Sequence, residues 1–564
     1  MREPDQTKRP RVLIIGGYGV FGGRLSRRLA RHTDIDVIVA GRQQSRADTH
    51  CVQYGGTAAR IDTDADLVAA FQHWQPALVI DAAGPYQLYG DDPYRVARAA
   101  LNVGADYLDL ADDADFVAGI ATLDDDARVR GRVVLSGCSS VPAISAAAVR
   151  ALADGMSSID SIESMIMPGN RAPRGRSLVR AILAQVGRPI RVRRAGQRTT
   201  IRGWGDVRRC RPAIAGVAAM NRRYTSPIGA PDLQLFPTYF KARTVRFRAG
   251  LELAVMHLGL VAISWFVRLG LLRTASPLVM PLLWVADRLE PFGTDRGAMT
   301  VDVIGRSAEG RGMHARWTLM AEAGDGPEIP STPAYLLALG LCRDRSGLQP
   351  GARACLADLT LDDINGGFAP YAIASDVTRN PVMTVFETAL ADDYARLPPP
   401  VRDLHEVLDC RAFAGTARVT RGTGWLSRAI GWCMGFPLAA DAVAVLVDMQ
   451  RTDAGETWRR QFGKSRFRSH LSRRPAAPHG EIWERFGPLS VRIDLTRVAG
   501  ELHYPVSAVR LYGWIPLPRF LVPASDTREY VNANGDACFD VAISHPLAGF
   551  IVRYRGWLRP VAET

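Results

Sequence analysis

A short apolar run that ends in a glycine-rich turn opens the chain and constrains its fold more than any other feature. The run Val12 to Ile15 is followed by the turn, by a helical pattern and by a second apolar run, Val37 to Ala40. The turn has the spacing G-x-G-x-x-G, which permits a tight turn and close approach of a pyrophosphate to backbone N–H groups at a helix N-terminus. The sequence therefore predicts a dinucleotide-binding unit whose phosphate-binding residues are Gly16, Gly17, Tyr18, Gly19, Val20, Phe21 and Gly22.

The end of the second strand indicates which dinucleotide binds. A site specific for NAD normally places Asp or Glu there to hold the ribose 2′-hydroxyl, whereas this strand ends in Ala-Gly-Arg42. Asp34 and Asp36 come too early, before the strand. Arg42, followed by Ser45 and Arg46, is suited to a 2′-phosphate through charge-assisted hydrogen bonds. The sequence favours NADP as the cofactor, the alternative being that Arg42 is a solvated surface residue.

Strand and helix patterns keep alternating after this unit. Further apolar strands are predicted at Thr57 to Ile61, Ala77 to Ala82, Tyr107 to Leu110 and Arg132 to Leu135. This alternation predicts an α/β, Rossmann-type doubly wound sheet. Because ligands bind beyond the carboxyl ends of such strands, Asp62 is expected near the adenine. By the same rule, the loops Gly84 to Asp92, Ala111 to Asp113 and Ser136 to Pro142 are expected to surround the nicotinamide, and Ala83, Gly84 and Pro85 are expected to bind the cofactor.

One long segment carries a resemblance to a known family. The sequence VIDAAGPYQLYGDDPYRVARAALNVGADYLDLADD, followed later by VVLSGCSSVP, resembles the NADP-binding domain of the saccharopine dehydrogenase-like family. The match covers roughly Arg11 to Ala153, and residues 1–153 are predicted to form the dinucleotide-binding domain. The resemblance implies an NADP-dependent oxidoreductase with an α+β second domain after the cofactor domain.

Residues 154–380 are predicted to be that α+β substrate domain, and they contain an apolar helical hairpin over residues 251–286. Each apolar stretch is shorter than the roughly 20 residues that a bilayer span needs. The hairpin is expected to lie in a membrane interface and admit a lipid substrate. A buried helical pair or the interface of a homodimer is the alternative interpretation of the same pattern.

Residues 381–564 have a period-two pattern that predicts an antiparallel sheet of six or more strands with a few helices. GWIPLPRFLVP and PLAGFIVRYRGWL resemble a C-terminal module of unassigned function that is found fused to saccharopine dehydrogenase-like domains. A curved sheet around helices is expected to enclose a lipid-binding cavity. The aromatic residues predicted to line either this cavity or an ordinary core are Trp425, Trp432, Phe436, Trp514 and Trp557.

The proton donor is not identified by any complete motif, since no S/Y-x-x-x-K arrangement occurs at the expected place. The catalytic candidates are acidic or phenolic side chains in loops at the strand ends: Tyr86, Asp109 and Asp112, with Tyr89 and Asp113 beside them. The run Asp109 to Asp113 could hold a metal ion, but acidic residues beside a sheet are usually helix caps. The eight cysteines show no metal-ligand spacing, and no metal is predicted.

The charge balance favours anionic ligands or surfaces. The chain has 70 Lys and Arg against 57 Asp and Glu, a net charge of +13. It shows no zinc-finger or RNA-recognition signature, so no nucleic acid partner is predicted. The loop Pro168 to Gly175 holds Arg171 and Arg174, which could receive an anionic group of NADP or substrate; the alternative is a surface turn with solvated charges. The polar N-terminus predicts no signal peptide, and therefore a cytoplasmic protein. The hairpin over residues 251–286 adds the expectation of peripheral contact at the inner face of the membrane.

Three functions remain open at the level of the sequence. The leading hypothesis is an NADP-dependent reductase of a small, lipophilic carbonyl or enoyl substrate, because saccharopine dehydrogenase-like relatives with apolar insertions resemble lipid reductases. An amino-acid-derived imine reductase of the saccharopine type is the first alternative. The second is a non-catalytic lipid-binding or transfer protein whose dinucleotide domain acts as a sensor.

Overall fold

A computed structural model describes residues 9–562 except Arg174, Asp344 and Ser346. The chain divides into two compact units. The first comprises Met1–Arg193, Arg198–Val303 and Ala315–Arg379. The second comprises Asn380–Thr564 with the short pieces Arg194–Gln197 and Ile304–His314. The predicted C-terminal region, residues 381–564, lies within the second unit.

The first part of the chain alternates strands with helices. Its strands are β1 (Arg11–Ile15), β2 (Asp36–Gly41), β3 (Thr57–Arg60), β4 (Leu78–Asp81), β5 (Asp106–Asp109), β6 (Val133–Ser136), β7 (Met156–Met167), β8 (Pro189–Arg194), β9 (Gln197–Arg202), β10 (Arg208–Cys210), β11 (Arg223–Pro227), β12 (Thr244–Ala249), β13 (Gly297–Ser307), β14 (Gly312–Ala321), β15 (Gly351–Ala354) and β16 (Ile373–Pro381). Its helices are α1 (Gly22–Leu29), α2 (Gln44–Tyr54), α3 (Leu67–Trp74), α4 (Arg95–Asn102), α5 (Ala114–Gly119), α6 (Asp124–Val129), α7 (Ser145–Leu152), α8 (Arg176–Gln185), α9 (Pro231–Tyr239), α10 (Ala254–Arg268), α11 (Val279–Arg288), α12 (Thr332–Arg343) and α13 (Leu361–Phe368).

The first sheet has seven strands in the order β15-β6-β5-β4-β1-β2-β3, and its pairings are parallel. Its central strand is apolar because helices cover both faces, and Val12 to Ile15 are fully buried. Ile15 is paired with Ala40 on one side and with Asp81 on the other. The predicted Rossmann-type sheet is confirmed, and the carboxyl ends of β1, β2 and β4 lie at one edge.

A late segment completes this sheet. Strand β15 pairs with β6, and helix α12 buries Ala334, Leu337 and Leu341 among the residues of β1 and β4. Arg345, which follows α12, donates to both carboxylate oxygens of Asp106 at 2.8 and 3.1 Å. The predicted range 1–153 therefore leaves out one strand of the sheet, because the chain returns to it after the second sheet is complete.

The second sheet has the order β10-β11-β12-β7-β13-β14-β16. Strand β12 runs parallel to β7 and antiparallel to β11, so the sheet is mixed. Helices α7 and α9 join its core, and Asp232 of α9 is completely buried there. The two oxygens of Asp232 accept hydrogen bonds from the hydroxyls of Ser145 and Ser164 at 3.0 and 2.9 Å.

The second unit is built on one thirteen-stranded sheet in the order β23-β24-β27-β28-β29-β17-β18-β19-β20-β21-β22-β25-β26. Its strands are β17 (Cys410–Arg421), β18 (Ala440–Thr452), β19 (Gly455–Phe462), β20 (Ser465–Ser472), β21 (Glu481–Phe486), β22 (Leu489–Asp494), β23 (Thr496–Val498), β24 (Glu501–His503), β25 (Val506–Leu511), β26 (Ile515–Pro516), β27 (Ala524–Val531), β28 (Ala537–His545) and β29 (Gly549–Pro560). Its helices are α14 (Val385–Leu390), α15 (Asp392–Ala395), α16 (Pro399–Leu404) and α17 (Trp425–Cys433).

The antiparallel sheet predicted for this region is confirmed, with two corrections. The predicted strand Glu501 to Leu511 is two strands, since Pro505 has no N–H to donate to a ladder and the chain changes neighbours there. The prediction that the tryptophans line a core or cavity is wrong for Trp425, Trp432 and Trp514, which are 76%, 83% and 73% exposed. These three side chains project from the helix and turns that border the sheet.

The buried carboxyl of Asp232 makes stability depend on pH. Burial raises the pKa of Asp232 from its ordinary 3.8 to about 7. Between these values the folded chain keeps a proton that the unfolded chain has lost, so raising the pH destabilises the fold. We expect Asp232→Asn to remove this dependence. When the pH is raised from 5 to 7, the free energy of unfolding of the wild type should fall by on the order of 2 kcal/mol relative to that of the variant. Urea unfolding at both pH values checks this, with exposed Asp48→Asn as the control. A pH-independent difference would contradict it.

Candidate functional site

The glycine turn after β1 has the geometry that a pyrophosphate site requires. Gly16 has φ +73°, and a Cβ there would lie 2.7 Å from the carbonyl oxygen of Ala82. A Cβ on Gly22 would lie 2.3 Å from the carbonyl oxygen of Gly16, so α1 can pack this closely only with glycine. The N–H groups of Gly16 and Gly17 both donate to the carbonyl of Ala40, at 2.9 and 3.2 Å.

Gly19 is less crowded than Gly16 and Gly22, because only the Gly16 carbonyl oxygen, at 3.1 Å, lies near the position that its Cβ would take. The open space at Gly19 is what a phosphate group needs to reach the backbone N–H groups. Helix α1 begins at Gly22 and has no acidic residue in its first turn. The N–H groups of Gly23, Arg24 and Leu25 already bond to the carbonyls of Gly19 and Phe21, so what the helix offers an anion is chiefly its positive dipole end.

A cationic group lies where β2 ends. Arg42 is exposed and has no ion-pair partner among the described residues. The ring of Tyr18 covers Gly41, its hydroxyl accepts the N–H of Gln43 at 3.0 Å, and the Arg46 guanidinium lies 5.0 Å from the ring centre. Helix α2 begins at Gln44 without an acidic residue in its first turn. The end of β2 can hold a 2′-phosphate, because Arg42 and Arg46 supply positive charge and the first turn of α2 adds no carboxylate.

The remaining predicted cofactor residues follow the next two strands. Asp62 is exposed just beyond β3, and its carboxylate accepts the N–H of Asp64 at 3.2 Å. Ala83, Gly84 and Pro85 follow β4, and the N–H of Ala83 donates to Asp81 at 3.0 Å. The sheet thus brings these residues to the same carboxyl edge as the glycine turn, although they are far apart in sequence.

Tyr86 is buried and forms hydrogen bonds to the backbone at the ends of β4 and β5. Its hydroxyl donates to the carbonyl oxygen of Asp81 at 2.8 Å and accepts the N–H of Leu110 at 3.2 Å. Burial raises the pKa of Tyr86 far above its ordinary value. The hydroxyl is occupied by backbone groups on both sides, so it positions the loops after β4 and β5.

Asp109 accepts hydrogen bonds from the segments at the ends of β5 and β6. One of its oxygens accepts the N–H of Gly137 at 2.7 Å, the N–H of Ala111 at 3.0 Å and the hydroxyl of Ser136 at 3.0 Å. The other oxygen is buried and has no hydrogen-bond partner in the described part of the chain. Burial raises the pKa of Asp109 to about 7.

Asp81, which sequence reasoning did not single out, is the register partner of Asp109 across β4 and β5. It is fully buried and accepts the hydroxyl of Tyr89 at 2.9 and 3.1 Å on its two oxygens. Burial raises the pKa of Asp81 to about 6. The sequence feature that indicates Asp81 is its position as the last residue of the apolar strand β4, LVID.

The last two residues of the acidic run, Asp112 and Asp113, differ in exposure and in role. Asp113 caps α5 by accepting the N–H of Phe116 at 2.9 Å, which is the helix-cap role that acidic loop residues usually have. Asp112 has an exposed side chain and remains accessible at the edge of the sheet. No group of three His, Cys, Asp or Glu side chains suited to a metal ion occurs among residues 9–562 outside the three undescribed positions.

The predicted hairpin is a pair of helices, α10 and α11, over an apolar cavity. The cavity has a volume of about 270 Å³, and most of its lining side chains come from α8, α10 and α11, including Val179, Ile182, Leu183, Met256, Ile263 and Leu282. The outer faces of the helices carry Trp265 and Trp284, 51% and 60% exposed. In the described chain, no helix has the length and apolar character to cross a bilayer.

The basic loop before α8 is described only in part. Arg171 is exposed and donates to the carbonyl of Pro291 at 3.2 Å. Arg174 lies outside the described residues. Arg171 is therefore tied to the segment that follows α11, close to the apolar cavity that Ala172 and Pro173 help to line.

Comparison with known proteins supports the assignment of both ends of the chain. Residues 12–133 match the family model of the saccharopine dehydrogenase NADP binding domain. Residues 397–558 match a domain of unknown function, DUF4166. No curated protein matches the chain.

Among solved structures, the chain is similar to apo saccharopine dehydrogenase (L-Glu forming) from Saccharomyces cerevisiae, 15% identical, with a TM-score of 0.49 over 65% of this chain and 100% of that one. Another is biliverdin reductase from Synechocystis sp. PCC 6803 in complex with biliverdin and NADP+, 11% identical, with a TM-score of 0.30 over 64% of this chain and 96% of that one. The glycine turn, the cationic end of β2 and the family match lead to one conclusion. The N-terminal domain belongs to the saccharopine dehydrogenase NADP-binding family, and the chain is an NADP-dependent oxidoreductase that carries a fused C-terminal domain of unknown function.

Proposed function

We propose that this oxidoreductase reduces a lipophilic carbonyl or enoyl substrate. The observation that carries the proposal is the apolar cavity beneath α10 and α11, in the same unit as the cofactor domain. A cavity lined by aliphatic side chains favours an apolar ligand, because burial of apolar surface is the main gain in binding. The two polar side chains in the lining are already engaged, Glu252 with Arg223 and Thr294, and Asn170 with the carbonyl of Leu289. The charged groups of an amino acid would have to displace these partners or remain unpaired.

The exposed side of the hairpin supports delivery of the substrate from a membrane surface. Val255, Leu269 and Leu271 are exposed beside the two tryptophans of α10 and α11. The guanidinium groups of Arg268 and Arg288 lie 4.8 and 5.1 Å from the ring centres of Trp265 and Trp284. Tryptophan backed by arginine is typical of helices that lie in the interface of an anionic bilayer. The proposal therefore includes peripheral membrane contact through this helical pair.

We propose that the residues at the carboxyl ends of β1, β2 and β4 bind the cofactor. The glycine turn and the N-terminus of α1 would hold the pyrophosphate, Arg42 with Arg46 the 2′-phosphate, and the loop from Ala83 to Pro85 the nicotinamide end. Bound NADPH supplies the hydride, so the protein must bind, orient and protonate the substrate. Tyr86 and Asp109 hold the loops of this edge in place, which leaves Asp112 as the proposed proton donor. Its side chain is accessible, and the desolvation imposed by the surrounding protein raises the pKa of its carboxyl above the ordinary 3.8, which favours the protonated form that a donor needs.

Arg42 is the residue that should distinguish the two cofactors. We expect Arg42→Ala to weaken NADPH binding by about 10- to 100-fold, the value of a lost charge-assisted hydrogen bond or two, and to leave NADH binding unchanged. Fluorescence titration with each cofactor measures both affinities. Arg31→Ala, on an exposed arginine just beyond α1, is the matched control. An equal loss for both cofactors would show that Arg42 does not contact a 2′-phosphate.

The role of Asp112 is separable from cofactor binding. We expect Asp112→Asn to lower kcat by about 100-fold or more, because general-acid catalysis contributes that much, with the KM for NADPH unchanged. The decline in rate that accompanies deprotonation of the donor at high pH should disappear in the variant. Asp115→Asn, on the exposed aspartate of α5, is the control. Full activity of Asp112→Asn would assign the proton to another group or to water.

Substrate class and membrane contact are tested together by NADPH oxidation. We expect turnover with long-chain aldehydes, ketones or enoyl thioesters in anionic vesicles, and none with an amino acid plus a keto acid. The pair Trp265→Glu and Trp284→Glu should lower the rate on vesicle-bound substrate by about tenfold but spare a short soluble analogue, because only interfacial delivery is lost. Val129→Glu, an exposed residue of α6, is the control. Turnover confined to the amino acid mixture would replace this proposal with an imine reductase.

A further inference from the structure

We propose that the second unit contains a separate binding site for a neutral, single-chain lipid whose head group is a hydroxyl. The site is a cavity of about 410 Å³ on the inner face of the thirteen-stranded sheet. This volume lies within the range of roughly 300–1,000 Å³ that small-molecule sites occupy. The inference does not depend on the reductase activity, because the cavity is formed by residues of the second unit alone.

The lining is apolar because alternate residues of the strands point to one face. On β18, Val445 and Val447 line the cavity, whereas Leu446 between them is exposed on the other face. Helices complete the wall. They contribute Phe386 of α14, Leu404 of α16, Ile430 of α17 and Met434, the residue that follows α17. Apolar cavities of this kind stay dry and accept apolar ligands.

One carboxylate in the lining has acceptor capacity left for a ligand. Glu529 of β27 accepts the hydroxyl of Tyr504 at 2.8 Å and the imidazole Nε2 of His405 at 2.5 Å. Both hydrogen bonds reach the same oxygen, Oε2, which leaves Oε1 with no protein donor among the described residues. A ligand hydroxyl donates one hydrogen bond and thus fits this acceptor.

The charges in the lining disfavour an anionic head group. Arg460 is already paired, with Glu484 at 3.2 Å and with the hydroxyl of Ser469 at 2.6 Å. His405 donates from Nε2 while its buried Nδ1 has no partner in the described chain, so we assign the neutral imidazole. Two carboxylates then face one guanidinium, and a fatty acid carboxylate would be repelled where an alcohol would not.

The segments beside the cavity carry exposed aromatic residues on their outer side. Helix α17 contributes Ile430 to the lining and presents Trp425 and Trp432 to solvent. The segment that contributes Leu517 and Leu521 also exposes Phe520. Large aromatic side chains of this kind are enriched at lipid–water boundaries, which supports a ligand that partitions into membranes.

The test is binding of two fluorescent probes to the full-length protein without NADPH. The probes are a conjugated-tetraene fatty alcohol and the fatty acid with the same chain. We expect the alcohol to bind about tenfold more tightly than the acid or better. Val447→Trp should fill the cavity and abolish binding of both, whereas Leu446→Trp, one residue away on the exposed face, should not. Should Val447→Trp fail to show a wild-type melting transition, Val491→Trp replaces it, because Val491 also lines the cavity.

Glu529→Gln tests the head-group assignment. We expect it to lower the preference for alcohol over acid by at least about fivefold, because it removes the charge that repels the acid and weakens the acceptor. Glu501→Gln, on the adjacent strand β24, should leave the preference unchanged. Equal affinity of wild type for both probes would overturn the head-group assignment. No binding of either probe, or binding untouched by Val447→Trp and Val491→Trp, would overturn the site. Neither result bears on NADPH oxidation, which is measured separately.

Discussion

The hydrogen bonds of two buried carboxyl groups, Asp81 and Asp109, hold together the edge on which the cofactor site depends. Each carboxyl sits at the end of a central strand, and each gathers N–H or hydroxyl donors from the loops that follow. A buried carboxyl is costly unless it is hydrogen-bonded, so the loops that satisfy it are confined to one conformation. This constraint explains why Tyr86 and Tyr89 serve the scaffold, while exposed Asp112 remains accessible for chemistry.

Apolar cavities occur in both units, and each is bordered by exposed aromatic side chains. In the first unit α10 and α11 combine a lined cavity with Trp265 and Trp284, and in the second unit α17 combines Ile430 with Trp432. Exposed apolar surface of this extent costs solubility, and it is generally associated with a partner or lipid surface. The two cavities support a common lipid chemistry, with one proposed for turnover and the other for binding.

Sequence reasoning was most successful where local geometry dictates residue type. The glycine turn after β1 and the parallel order of the first strands are confirmed, because each depends on a short segment and on regular periodicity. It failed where side chains depend on distant neighbours. Trp425 and Trp432 are of a residue type that is common in protein cores. They are nevertheless exposed, because α17 turns its other residues toward the sheet. Strand β15 was missed because four residues after a long excursion carry too little pattern.

The sequence by itself determined the Rossmann unit, the preference for NADP and the antiparallel character of the C-terminal half. These follow from spacing and periodicity, which act within a few residues. Only the tertiary structure decided that Asp81 lies beside Asp109, that Asp112 is exposed, and that Glu529 lines an apolar cavity and takes both of its described hydrogen bonds on one oxygen. Each of these facts depends on which strands become neighbours, and long-range pairing is set by the packing of the whole unit rather than by any local segment.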